Sequence, residues 1–400
     1  MTQPAQAIPP ARVGDGYAPD FMVTVAKKPV DEATRGDVLD VRVTLDLKNM
    51  GGFNVTFNNW DDAKLRFKYA ETQDGPFAIG NRVEVQLGYA GQVVPVVAGT
   101  ISTLVANYPE SGSPTITVTG TDGLQKLKNR KQREGETTIY RSQADWQIAQ
   151  KVAARNNLKA QVDKDGPVHD LVVQRNMDDA MFLVERANRI DFECFVRADP
   201  ATGKDVLFFV KPTDGREARA DQRPRFFRLA YGPGLAGERQ PPGGPGELFP
   251  DLISFTPTLT LSNQVSKVTV RSWDPRAKEV ISFTADRRHL PPGRGLSGPQ
   301  AAGLALADRQ EAVIDAPVIS REEARRLAIA LLRERAYGFI TATGRVVGLP
   351  ELVPGDNLEI HGVGERFTGT YFVLRVEHTL NGSGFFTQFQ GRRVYDGSGR

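Results

Sequence analysis

The chain has 400 residues, of which 40% are apolar, 25% charged and 8% aromatic, enough for roughly two to four domains with cores of their own. Its 51 Lys and Arg against 48 Asp and Glu leave a net +3, too even for a dedicated nucleic-acid binder, and no run nears the roughly 18 unbroken apolar residues of a membrane helix. A single cysteine, Cys194, excludes an internal disulfide framework and a multi-cysteine metal site.

Residues 1–20 carry Pro4, Pro9, Pro10 and Pro19 among small residues and read as a flexible or docking arm. They have neither the basic start nor the apolar centre of a signal peptide, so synthesis in the cytoplasm without a signal peptide is expected. Residues 21–123 read as a first β-barrel. Asp40–Leu47 and Phe53–Phe57 alternate at period two, and Leu65–Tyr69, Arg82–Leu87, Val93–Val105 and Thr115–Thr119 follow between glycine turns. Residues 124–231 read as a mixed α/β module. Ser142 is expected to cap a helix running to about Asn156, and a second helix spans about Asp178–Arg189 on a stripe of Ala180, Phe182, Leu183 and Ala187. Strands are expected at Asp191–Val196, Asp205–Lys211 and Phe226–Tyr231. Residues 232–250 form a Pro/Gly linker.

Residues 251–395 read as a second barrel, with strands near Leu259, Val265–Ser272 and Val280–Thr284 and a loop over Pro291–Pro299. One helix, 320–337, interrupts it: Ser320 caps it, Glu323 completes a capping box, and Ala324, Leu327, Ala328, Leu331 and Leu332 face inward before Gly338 stops it. The predicted fold class is therefore mainly β with an α/β insert, as two tandem antiparallel β-barrels flanking a mixed α/β module.

The two strand-rich parts echo each other. Ile79-Gly-Asn-Arg-Val-Glu-Val85 parallels Pro354-Gly-Asp-Asn-Leu-Glu-Ile360, Ala98-Gly-Thr-Ile101 parallels Thr368-Gly-Thr-Tyr371, and the turns at Gly112 and Gly382 lead into Thr115–Gly120 and Phe385–Gly391. The same order of turns and strands recurring along the chain points to a duplicated barrel.

Catalytic patterns are weak throughout. Gly232-Pro-Gly-Leu-Ala-Gly237 matches a dinucleotide string, but Glu238-Arg-Gln-Pro-Pro that follows cannot open the helix a phosphate needs. Of the histidines His169, His289, His361 and His378, no two share helical spacing. Only His361 and His378 with a carboxylate could make a metal site, and surface or barrel-rim positions are expected instead. Cys194 lies in apolar text and reads as a buried small hydrophobe. Asp178-Asp179 and Glu322-Glu323 sit at helix starts, where acids suit the dipole, and Asp61-Asp62 lie in a turn after Trp60. Lys126–Arg133 and Arg216–Arg228 are basic stretches that suit a solvated face or an acidic partner. No catalytic, cofactor-binding or metal residue is assigned, and the chain is expected not to be an enzyme.

The order of motifs in the second half resembles the phage late control D family. Glu322-Glu-Ala-Arg-Arg-Leu-Ala328 through Gly344, Gly348-Leu-Pro-Glu-Leu-Val-Pro-Gly-Asp356, Gly362–Tyr371, Val376-Glu-His378 and Thr387-Gln-Phe-Gln-Gly-Arg-Arg393 carry the likeness. Gly120-Thr-Asp122 and Gln174–Leu183 agree with it. The family comprises baseplate hub proteins of contractile tails and injection systems, similar to the N-terminal part of type VI valine-glycine-repeat spike proteins. The resemblance implies a homotrimer whose paired barrels make a pseudo-sixfold ring between a trimeric spike and a hexameric inner tube. Further expected partners are a tube-initiator protein and baseplate wedge proteins, with no specific nucleic-acid binding and no membrane insertion. The chain stops soon after the second barrel, so the spike is expected to be a separate protein. Rival readings are a tail-associated cell-wall hydrolase using Asp61 or Asp62 and a glycan-binding module using Trp60 or Trp273.

Overall fold

The computed structural model describes residues 18–70, 75–128, 138–198, 204–212, 226–232, 251–274, 277–306 and 309–397. Most of the arm, of the 232–250 linker and of both basic stretches lies outside these residues. Among the described residues, thirteen strands join into one continuous sheet that rolls up twice. The first roll sets strands Pro19–Val25, Arg82–Tyr89, Gln92–Asn107, Thr115–Thr121, Gly52–Asn58 and Val38–Asp46 side by side in that order, all antiparallel. Period-two alternation decides which face is inside: Val41, Val43, Phe53, Val55 and Phe57 fill the core while Arg42 and Thr56 face away.

The second roll is a closed six-stranded barrel of Phe226–Tyr231, Asn357–His361, Gly369–Asn381, Gly384–Arg393, Ile340–Val347 and Asp251–Leu259. Two corrections to the sequence reading follow. Phe226–Tyr231 is a strand of this barrel rather than the end of the α/β module, and it runs parallel to both neighbours, so the barrel is not wholly antiparallel. The reason is in its residues: Phe226, Phe227, Leu229 and Ala230 are all buried, the unbroken apolar run of a strand covered on both faces. Among the described residues, two pairs close it there, Ala230 with Asp251 and Tyr231 with Leu252.

The barrels correspond strand for strand in lateral order. Arg82 stands opposite Thr100 as Asn357 stands opposite Phe372, and a bulge follows in each long strand, at Ile101/Thr103 and at Val373/Arg375. A second pair of bulges, Val38/Asp40 and Leu252/Ser254, turns out the apolar residues Leu39 and Ile253. Gly80 and Gly355 precede the matched strands with φ of +92° and +91°, so the turns echoed in sequence are the same turn in space. The Gly-Thr echo is corrected: it is two residues out of register, because Gly99 lies inside its strand whereas Gly369 begins one.

The two rolls share a seam, with Val38–Asp46 antiparallel to Arg375–Asn381. The α/β module packs helices Asp145–Arg155 and Asp179–Asn188 against a ribbon, Thr138–Ala144 with Val168–Gln174, and a three-stranded sheet around Ile148, Val152, Leu183 and Phe209. Between Leu259 and Ile340 the second barrel carries an insert, where helix Arg321–Tyr337 lies on strands Lys267–Asp274, Glu279–Ala285 and Gln310–Val313.

Local readings are corrected at three helix ends. Ser142 does not cap a helix; it sits in the ribbon with φ +51°, and the helix starts at Asp145, where Gln147 Oε1 accepts from the Ala144 N–H. Gly298–Ala305 is a further helix that begins at the end of the expected Pro291–Pro299 loop, started by Ser297 and Gln300, with Pro299 in the first turn where its missing N–H costs nothing. Glu323 does not close a capping box: Ser320 Oγ accepts from the Glu323 N–H, but the carboxylate takes the Ile319 N–H and a histidine instead.

Candidate assembly interface

The ionisable groups that stand out lie where one part of the chain meets another. At the seam, Arg42 Nε is 3.7 Å from Glu377, Arg375 Nη1 is 4.0 Å from Asp46, and Asn381 Nδ2 donates to Asp40 at 3.2 Å. The Tyr89 hydroxyl reaches across to the Gly348 carbonyl at 2.9 Å.

The α/β module is tied to the insert helix by a buried cluster. His169 Nδ1 lies 2.7 Å from Glu323 Oε1 and Nε2 lies 3.1 Å from Asp145 Oδ2, while Arg186 donates to Asp145. Burial and the Arg186 charge oppose the imidazolium, but the two carboxylates outweigh them and raise the His169 pKa. Asp145 and Glu323 are held below the usual range, since His169 and its cationic neighbours overcome their burial.

A second tie centres on Arg392 of the last barrel strand. It bonds Glu193 of the module and lies 3.9 Å over the Tyr337 ring of the insert helix. Beside it, Asp191 accepts from Arg333 at 2.8 Å and from the Tyr337 hydroxyl at 3.0 Å. Asp179 is clasped by Arg155, Gln174 and Asn156. These carboxylates are engaged in packing, and sequence reading missed the clusters because their members are scattered along the chain. The one local signal was an acid directly at each helix start.

Between the first barrel and the module lies a cleft of about 470 Å³ lined by Lys27, Arg82, Lys126, Lys159, Lys204 and Asp205. Lys126 donates to Asp205 at 2.7 Å, and Arg82 lies 3.6 Å from the same carboxylate. The rest of the first basic stretch beyond Lys128 is outside the described residues. Of the second, Arg228 pairs with Glu359 at 3.1 Å.

The remaining sequence candidates separate. Asp61 accepts from the Ala63 and Lys64 N–H groups and is pulled down by them, as a turn-forming acid is. Asp178 caps its helix through the Met181 N–H. Cys194 is buried, its thiol pushed up to about 12. Trp60 packs edge-on to Phe67, while Trp273 is exposed. His361 lies beside Glu359 at the surface. His169 and His378 contradict the expected surface or rim placement. His378 is fully buried, bonded to Thr387 Oγ1 and near the Leu352 carbonyl, because the strand turns it into the barrel and Glu377 out. His361 and His378 are therefore not brought to one site. Among the described residues, no group of three or more His, Cys, Asp or Glu is placed to hold a metal ion, and no helix is long and apolar enough to cross a membrane.

The two buried histidines respond to pH with opposite signs. Burial lowers the His378 pKa to about 4. Its neutral form is favoured in the fold, so stability is complete above its unfolded value near 6.5 and falls by about 3 kcal/mol as pH drops toward 4. His169 has a raised pKa, so its contribution is complete below about 6.5 and lost as pH rises through the folded value. Melting temperatures of the His169→Gln and His378→Gln proteins across pH 4–8 test this: the first should flatten the alkaline side of the profile and the second the acid side. Profiles parallel to that of the unaltered chain would refute the assignment.

A family model described as "Alg8 N-terminal domain" matches residues 20–205 and 249–382. This is not the late control D family that the sequence resembles. Among curated proteins no sequence match is found. Solved structures share the fold. A 43 kDa tail protein of prophage MuSo2 from Shewanella oneidensis is 15% identical with a TM-score of 0.64, covering 94% of this chain and 98% of its own. A tail protein from Neisseria meningitidis MC58 is 12% identical at 0.63, covering 94% and 97%. An Escherichia coli component of the type VI secretion system, described as structurally similar to T4 bacteriophage tail proteins, is 12% identical at 0.54, covering 91% and 75%.

Proposed function

The chain belongs to the Alg8 N-terminal domain family, and on that premise, with the tail-protein fold beside it, we propose that it is the structural baseplate hub of a contractile tail or injection system. Three copies form a ring of six barrels that seats a separate trimeric spike on one side and starts the hexameric inner tube on the other. The observation that carries this reading is the duplicated barrel with matching strand order and matching bulges. Two similar units per chain let a threefold spike meet a sixfold tube without either changing symmetry. The role asks for rigidity between barrels, which the seam's strand ladder and the Tyr89 bond across it supply. It requires no catalysis, and the sequence likeness to late control D proteins agrees with it.

Native mass measurement of the purified chain, alone and with the spike-like protein encoded nearest to it, tests the proposal. A trimer or a three-to-three complex is expected. A monomer that ignores that partner at all concentrations would refute it.

A further inference from the structure

In the seam, the outer half of strand Gly369–Asn381 pairs on one side with its own closing strand and on the other with Val38–Asp46 of the first barrel. Its counterpart is the outer half of Gln92–Asn107, which follows the matching bulge and pairs with its closing strand from Thr103 to Asn107. Among the described residues, that stretch has no strand on its other side. The counterpart of Val38–Asp46 is Asp251–Leu259. Beyond Leu252 it too has a strand, Ile340–Val347, on one side only among the described residues. A contact made once within the chain is thus left open once, with both halves present.

We propose that these two open edges pair with each other between copies of the chain, Thr103–Pro109 of one protomer lying antiparallel to Ser254–Thr260 of the next in the register of the seam. The proposal rests on the hub reading and names the surface through which its ring closes. By the seam's register, where Val376 faces Leu45, Glu377 faces Thr44 and Leu380 faces Val41, Leu104 faces Leu259, Val105 faces Thr258 and Tyr108 faces Phe255.

The chemistry of the edges supports the match. No charged residue occurs from Gln92 to Tyr108 or from Leu252 to Ser266, although solitary edge strands are commonly guarded by charge. Val105 and Tyr108 are 53% and 56% exposed, and Ile253 is 44% exposed. The seam itself carries Arg42, Asp46, Arg375 and Glu377. Charged edges thus pair within the chain and uncharged ones between chains, which discourages the wrong combination. Pro109 and Pro257 contribute no donor, so the new ladder is at most two hydrogen bonds shorter than a proline-free one. Such a head-to-tail contact closes only if its rotation divides the circle, and alternating it with the seam gives six barrels from three chains.

The test uses the full chain carrying Val105→Cys and Thr258→Cys, with the native Cys194 buried and out of competition. Mild oxidation is expected to give reductant-sensitive covalent dimers and trimers, while each single variant and the pair Val105→Cys with Thr284→Cys stay monomeric on a denaturing gel. Val105→Lys is expected to weaken self-association about tenfold or more, and adding Thr258→Glu to restore it. A native trimer with no cross-link and no effect of Val105→Lys would overturn the pairing and leave the hub reading standing. A monomer at every concentration would overturn both.

Discussion

Replacing Arg392 by Met is expected to cost about 3–5 kcal/mol, the loss typical of breaking a buried ion pair from one side. Arg392 is buried on the closing barrel strand, its guanidinium against Glu193 and over the rings of Tyr337 and Phe372. Met keeps much of the packing but leaves the Glu193 carboxylate buried without its counterion. The neighbouring Asp191, already raised by its burial and relieved by Arg333, also loses a nearby positive charge. Three parts of the chain converge on this side chain, so calorimetry should show the module and the second barrel separating into distinct transitions. Adding Glu193→Gln should recover more than half of the loss. A drop of less than about 1 kcal/mol for Arg392→Met would reduce the contact to the worth of a surface pair.

Truncating Phe389 to Ala is expected to cost a similar amount, about 3–5 kcal/mol, by a different route. Phe389 is buried and lies directly opposite Gly344, where an added Cβ would stand 2.3 Å from the ring. The first barrel uses the same device with the roles exchanged: Phe53 faces Gly120 on the matching strand pair, and a Cβ there would stand 2.2 Å from the ring. In each, glycine makes room for an aromatic ring laid across the neighbouring strand. Gly344→Phe alone should overpack the closed barrel and destabilise it by about 1–3 kcal/mol or more. Combining it with Phe389→Gly should recover much of both losses, because it reproduces the first barrel's arrangement. Additive losses in the double variant, read from melting temperatures, would show that the pair is not the unit.

Much of the fold was legible because one-faced strands write their burial into alternation. Asp40–Leu47 and Phe53–Phe57 needed no further information. Phe226–Tyr231 did, since an unbroken apolar run says that both faces are covered but not by which neighbours. Ser142 has the chemistry of a helix cap, yet ladder pairing with the Val168–Gln174 strand holds its surroundings extended. His169 was unreadable for a plainer reason: its partners Asp145 and Glu323 lie 24 and 154 positions away, and no local pattern encodes a contact that tertiary packing creates. The echo between barrels was visible at the Gly80 and Gly355 turns, where backbone geometry demands the residue. It slipped at Gly-Thr, where it does not.

The wall of the second barrel includes Asn357–His361 beside Phe226–Tyr231 and ends with Gly384–Arg393, so it cannot be completed until the chain has been translated almost to its end. The first barrel has all six strands within the first third of the chain and can emerge from the ribosome finished, holding out the bare edge Val38–Asp46. Contacts of such long range are slow to form. During that interval the nascent chain presents a folded template on which Arg375–Asn381 later lands, across a separation of 341 residues between Asp40 and Asn381. Chains translated side by side on one messenger would expose the same template to one another. Timing, as much as affinity, then decides whether an edge meets its own strand or a stranger's.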